Sequence, residues 1–166
     1  MGFETFDNNR STRIFELVES YKSIDYEDFK KIKYDNKFPT PFNYNFMDVN
    51  KIMEMKPDDY PEIADLLKQI QNWDRSTDAT STGAGAYAMF YYTLADKYFY
   101  KSYYDRNFSK SLIADCLDEV KKRMKKYFNS TIIKLGDFQK LVRGDKEMPI
   151  FGMPDVITAM NASKYK

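Results

Sequence analysis

Histidine is absent from all 166 residues, and this absence narrows the available chemistry more than any residue that is present. Without an imidazole there is no His general base, no His metal ligand and no His pH switch. Cys116 stands alone, which removes an intrachain disulfide and a cysteine metal site. Glu27-Asp28 and Asp58-Asp59 are adjacent acids, but sequence neighbours do not converge on one helix face. They read as helix-start charges. Gly83-Ala84-Gly85 is not followed by the Gly-Lys-Ser/Thr of a phosphate loop. The one basic cluster, Lys121-Lys122-Arg123-Met124-Lys125-Lys126, ends a helix-patterned segment, where cations suit the C-terminal dipole. It reads as a solvated helix face. A net charge of +1 makes no electrostatic case for nucleic acid or a membrane surface. No apolar run approaches the ~18 residues of a membrane span. No cofactor and no metal is expected.

The elements that must position any site follow a 3.6-residue apolar period. After Asn9, a candidate N-cap, Ile14, Leu17, Val18 and Tyr21 share a helical face. Asp25 can cap a second, short helix that turns Phe29 and Ile32 inward. Pro39 and Pro41 break the chain, and Val49, Ile52, Met53 and Met55 suggest a third helix before Pro57. Pro61 suits the first turn of a fourth, with Ile63, Leu66, Leu67, Ile70 and Trp73 as its stripe. A polar connector from Asp74 ends in the capping residues Ser81 and Thr82. It precedes a long aromatic helix through Tyr87, Phe90, Tyr91, Leu94 and Tyr98. Gly83 and Gly85, in its first turn, predict close backbone approach to a neighbour. Ser109 opens a further helix with Leu112, Ile113, Cys116, Leu117, Val120 and Met124 on one side. The character changes at Asn129: Thr131-Ile132-Ile133 reads as a short β segment, followed by glycines and prolines. The expected division is a helical unit over residues 1–128 and a short strand and loop segment over residues 129–166. A chain this long can bury about 70% of its unfolded surface. With 14 Tyr and 13 Phe, either a groove wall or interface is built from them, or the composition is biased.

Two kinds of segment carry a resemblance. Near the C-terminus stand Leu135-Gly136-Asp137-Phe138-Gln139-Lys140-Leu141-Val142-Arg143-Gly144-Asp145, then Met148-Pro149, then Gly152-Met153-Pro154-Asp155. The stretch resembles a pattern of the penicillin acylase and acyl-homoserine-lactone acylase family. There, Gly-Asp is followed by Arg-Gly-Asp, an apolar residue with Pro, and Gly-Gly-Pro-Asp. Met153 departs from the usual second glycine. Arg10-Ser11-Thr12-Arg13-Ile14-Phe15-Glu16-Leu17 is similar to the family's Arg-x-x-Arg-Ile-x-x-Leu helix, with Asp28-Phe29 and Asp35 following as its next helix does. Asn72-Trp73-Asp74, with Asp78, resembles the family's Trp-Asp-Gly turn, Arg75 replacing the common glycine.

The resemblance implies an N-terminal-nucleophile hydrolase, in which autocleavage exposes a serine. Its hydroxyl attacks an amide carbonyl, and its own α-amino group, with a pKa of about 7.7–8.0, serves as base. An asparagine side chain and backbone N–H groups stabilise the oxyanion. By this resemblance the chain begins after both the serine and the asparagine. Met1 cannot replace the serine, since a thioether has no acidic proton. Arg10 is the one catalytic position that carries over, as a supporting group: in the family an arginine opens this helix and lies against the catalytic centre. A cation there disfavours protonation of the nearby amine. The alternative is an Arg10 that makes only a surface ion pair in a helix's first turn.

The expected fold is therefore mainly α: a multi-helix domain with a short β or irregular C-terminal segment, excised from a larger αββα sandwich. Two functions stand side by side. In the first, the chain is an acylase segment, inactive alone, that supports the hydrolysis of a linear amide in an N-acyl substrate. Its partner is then the remainder of the acylase or a second copy covering exposed core surface. In the second, it is a stand-alone helical interaction module with a Tyr-rich surface. Family relatives suggest a periplasmic or secreted parent.

Overall fold

The computed structural model describes residues 9–40, 50–104 and 108–153, with the backbone alone for 98–104. Val49, Pro41, Pro154 and Asp155, the stretch before Asn9 and the side chain of Tyr98 lie outside these described parts. Within them the order is α1 (Asn9–Glu19), α2 (Tyr26–Lys33), α3 (Lys51–Glu54), a 3-10 turn (Pro57–Asp59), α4 (Ala64–Gln71), α5 (Thr82–Tyr104), α6 (Lys110–Phe128), α7 (Leu135–Phe138), β1 (Lys140–Arg143) and β2 (Lys146–Pro149). The chain is mainly α, with one two-stranded sheet among the described residues.

The core is made where α4, α5 and α6 pack. Leu66, Leu67 and Ile70 of α4 meet Ala84, Tyr87, Phe90 and Leu94 of α5, and Ile113, Leu117, Val120 and Met124 of α6 complete the cluster. Each of these residues is fully buried. Burial at this level stabilises by about 1.5–3 kcal/mol per large aliphatic side chain. Ser109 caps α6 by accepting the Leu112 N–H at 3.2 Å, and Asn129 ends it in the left-handed region at φ 53. Lys121 reaches back to Asp65 at 2.7 Å, Lys122 pairs with Asp118 one turn earlier, and Arg123 donates to Thr93. The basic run therefore decorates a helix that is already tied into the bundle.

The first two helices depart from expectation. Asn9 is already helical and not the cap, and it is buried. On the face predicted to pack inward, Ile14 and Val18 are exposed, and Phe29 on α2 is 55% exposed. Only Ile32 of that predicted set is fully covered. Asp25 caps α2 as expected, accepting the Asp28 N–H at 2.8 Å. Among the described residues α1 and α2 pack on each other, and neither contributes to the main core cluster, so their apolar stripes find little cover there.

Thr131-Ile132-Ile133 is not a strand. Its backbone groups are taken by side chains and loop: Gln69 Nε2 donates to Thr131 O at 3.0 Å, and just beyond it Leu135 N donates to Ser81 O at 3.0 Å. A ladder partner is replaced by the start of α5. Gly85 is the reason the two can meet, since a Cβ there would lie 2.3 Å from Ile133 O. The strands fall instead at the Arg-Gly-Asp segment. Lys140 pairs with Pro149, and Arg143 with Lys146, around Gly144-Asp145. Gly144 sits at φ +60, the backbone that the first central position of a II′ hairpin demands.

Candidate functional site

The connector between α4 and α5, residues 72–81, joins segments that lie far apart in sequence. Trp73 stands at its start because Gly83 leaves no Cβ to collide with the indole; an added Cβ would lie 2.5 Å from Trp73 Cβ. The indole N–H donates to Ser76 O at 2.7 Å, and the ring stacks on Tyr87 at 5.1 Å and meets the edge of Phe38 at 5.8 Å. Arg75 turns the chain at φ 67, outside the usual range for a side-chain-bearing residue. Its guanidinium donates to Pro39 O at 2.6 Å. Burial pulls the Arg75 pKa down, while nearby Glu16 works in the opposite direction.

Two neighbouring segments dock on this turn. Residues 36–38 run antiparallel to 75–77: Phe38 N donates to Arg75 O at 3.1 Å and Thr77 N to Asn36 O at 3.0 Å. Side chains reinforce the pairing, with Lys37 on Asp74 at 2.9 Å and Asn36 Nδ2 donating to Asp78 at 2.6 Å. From the other side, Gly152 N donates to Thr77 O at 3.0 Å and Gly136 N to Ala79 O at 2.8 Å. Asp35, next to this strip, accepts both arms of the Arg13 guanidinium at 2.9 and 2.8 Å. The C-terminal resembling segment thus meets the Trp73 turn, and Arg13 of the first one is tied to Asp35 beside it. Sequence reasoning missed Asn36, Lys37 and Thr77, because pairing across some 40 residues leaves no local signal.

The chemistry of the turn is structural. Ser76 Oγ donates to Asp78 at 2.8 Å, but a carboxylate is too weak a base to remove a serine proton at neutral pH. Ser76 is also buried, and the bond tightens the turn. Among the described residues no group of three or more His, Cys, Asp or Glu is arranged to hold a metal ion. A cleft of about 670 Å³ lies beside the turn, lined by Lys68, Gln69, Asn72, Trp73, Thr80 and Thr82 among others. Arg10 is not among its lining residues. It lies exposed on α1, three residues before Arg13.

Electrostatics at the turn set an acid limit. The Lys37 ammonium, followed by the Ser76 N–H, holds the Asp74 carboxyl below its ordinary 3.8. Burial, the largest single influence, works to raise the Asp65 carboxyl, but the hydrogen bonds from Lys121 at 2.7 Å and from Thr131, the Lys121 charge and the Leu66 N–H together outweigh it, so Asp65 is also lowered. A carboxyl depressed in the folded state adds stability that is complete above its unfolded value and is lost as pH falls through the folded one. Denaturation midpoints are therefore expected to hold from neutrality to about pH 4 and to drop below it. Asp74→Asn should shrink that drop; an equal drop in the variant would remove Asp74 from the account.

Among the described residues no helix is long and apolar enough to cross a membrane. No curated protein and no solved structure matches the chain. The family model described as penicillin amidase matches residues 1–148, through α1, the Trp73 turn and most of the hairpin. By that match, over most of its length, the chain belongs to the penicillin amidase family.

Proposed function

We propose that this chain is the helical and hairpin portion of an amide hydrolase that cleaves the linear amide of an N-acyl substrate. The nucleophilic serine and the oxyanion asparagine come from sequence other than these 166 residues, so the chain alone is inert. The observation that carries the reading is the penicillin amidase match over residues 1–148. It is supported by the docking of the resembling C-terminal segment, through Gly136 and Gly152, on the Trp73 turn. Arg10 is the residue proposed to reach the catalytic centre, where its charge disfavours protonation of the nucleophile's amine. Autocleavage to expose the serine, and export of the whole enzyme to the periplasm, follow from the same reading. The rest of the acylase is the proposed partner of the exposed apolar groups Leu141, Val142, Met148 and Phe151 on and beside the hairpin.

The test is hydrolysis of a chromogenic N-acyl anilide by the isolated chain and by the native gene product. The isolated chain is expected to show none. The native product is expected to show turnover that Arg10→Ala reduces. Turnover by the isolated chain, or none by the native product, contradicts the proposal.

A second reading has its own observation. Phe15, Tyr26, Phe29 and Tyr34 are all exposed on the α1 and α2 side. Such an aromatic surface suits a protein partner.

A further inference from the structure

We infer that Arg13 is a positioning residue: a bidentate latch from Arg13 to Asp35 fixes the rotation of α1, and so the direction from which Arg10 is presented. The inference rests on the proposed role of Arg10. Apolar burial does little to fix α1. Of its residues only Asn9 is fully buried, while Ile14, Phe15 and Val18 are exposed. An 11-residue helix is also too short to be stable alone.

What holds it is polar and directional. Arg13 Nε and Nη2 donate to the two oxygens of Asp35 at 2.9 and 2.8 Å, a fork that permits one orientation of the guanidinium. Its remaining arm, Nη1, donates to Glu16 at 3.1 Å, and Glu16's other oxygen accepts the Thr40 N–H at 3.2 Å. Asp35 is itself held, accepting the Lys37 N–H at 3.1 Å. The Arg13 and Asp35 side chains are only 21% and 13% exposed, so solvent and salt screen this pair less than a surface pair. The Asp35 hydrogen bond also raises the Arg13 pKa. Arg10 lies one turn before Arg13 on the same face, so a helix pinned at Arg13 cannot roll without moving Arg10.

The latch is tested in this chain by hydrogen exchange of the α1 amides. Arg13→Gln and Asp35→Asn are each expected to speed α1 exchange about tenfold, the scale of a charge-assisted bidentate bond. The double variant should add nothing to either single change, since both break the same contact. Exchange in α5 and α6 should not move. Lys31→Gln, which breaks an exposed pair with Asp28, is the control expected to leave α1 unchanged. Wild-type α1 exchange in both single variants, or additive effects in the double, overturns the latch.

Positioning is tested in the native product. Arg13→Gln should lower kcat about tenfold to a hundredfold with KM nearly constant, as a small misplacement of a reacting group does. Arg13→Lys should not restore it, because an ammonium cannot make the fork. A freed α1 with unchanged kcat overturns the positioning role. A native product that cleaves no N-acyl amide instead overturns the acylase reading, and the exchange cycle still decides the latch.

Discussion

Gly85→Ala is expected to destabilise the chain by about 3 kcal/mol, at the upper end of overpacking changes. The added Cβ would stand 2.3 Å from Ile133 O, with the Ile133 and Lys134 carbonyl carbons both at 3.1 Å. All three are backbone atoms, so no side chain can rotate away. Alanine's better helix propensity returns at most about 1 kcal/mol, and less in a first turn. The neighbouring hydrogen bonds from Leu135 N to Ser81 O and Gly136 N to Ala79 O register the 133–136 strip against the start of α5. Moving the strip weakens them together. Urea denaturation followed by Trp73 fluorescence measures the loss. A change below about 0.5 kcal/mol, the level of a neutral surface substitution, would show that the strip does not press on α5.

Trp73→Ala is expected to cost about 3–5 kcal/mol. The indole is 7% exposed and joins Phe38, on the strip before α3, to Tyr87 on α5. Its removal leaves a cavity between three segments and strips Ser76 O of its 2.7 Å donor. Trp73→Phe separates the two effects. A ring remains to pack, and the lost N–H should cost about 1–3 kcal/mol for the buried carbonyl left behind. Measured by circular dichroism, equal costs for the two variants would mean that the hydrogen bond, and not the packing, holds the turn.

The fold was most legible where local signals and burial agree. In α6, Ser109 and the spacing Ile113, Cys116, Leu117, Val120, Met124 gave both the start and the buried face. Gly83 and Gly85 announced close approach, though not which atoms approach. The same periodicity misled at α1 and α2, because an apolar stripe says which face is fit to be buried and not whether anything lies against it. Ile14, Val18 and Phe29 are exposed for that reason. Thr131-Ile132-Ile133 has strand propensity but no ladder partner, and Gln69 takes the hydrogen bond a neighbouring strand would have made. The hairpin at Arg143-Gly144-Asp145 was visible as motif and not as structure.

The candidate site was legible only as separate family-like pieces. That these pieces meet at residues 72–81 depends on pairings such as Asn36 with Asp78 and Gly152 with Thr77. Polar contacts of that range leave no period or spacing to read. Arg75 illustrates the limit further. The sequence shows only that Arg75 stands where the family pattern has glycine; the structure shows it at φ 67 with its guanidinium bonded to Pro39 O.

The most direct test of the account is the mass of the native product of the gene, by immunoblot against this segment and intact mass spectrometry. The acylase reading predicts a product several times larger than this chain, containing a serine-initiated polypeptide. A native product of only about this length would contradict it and direct attention to the exposed aromatic surface of α1 and α2.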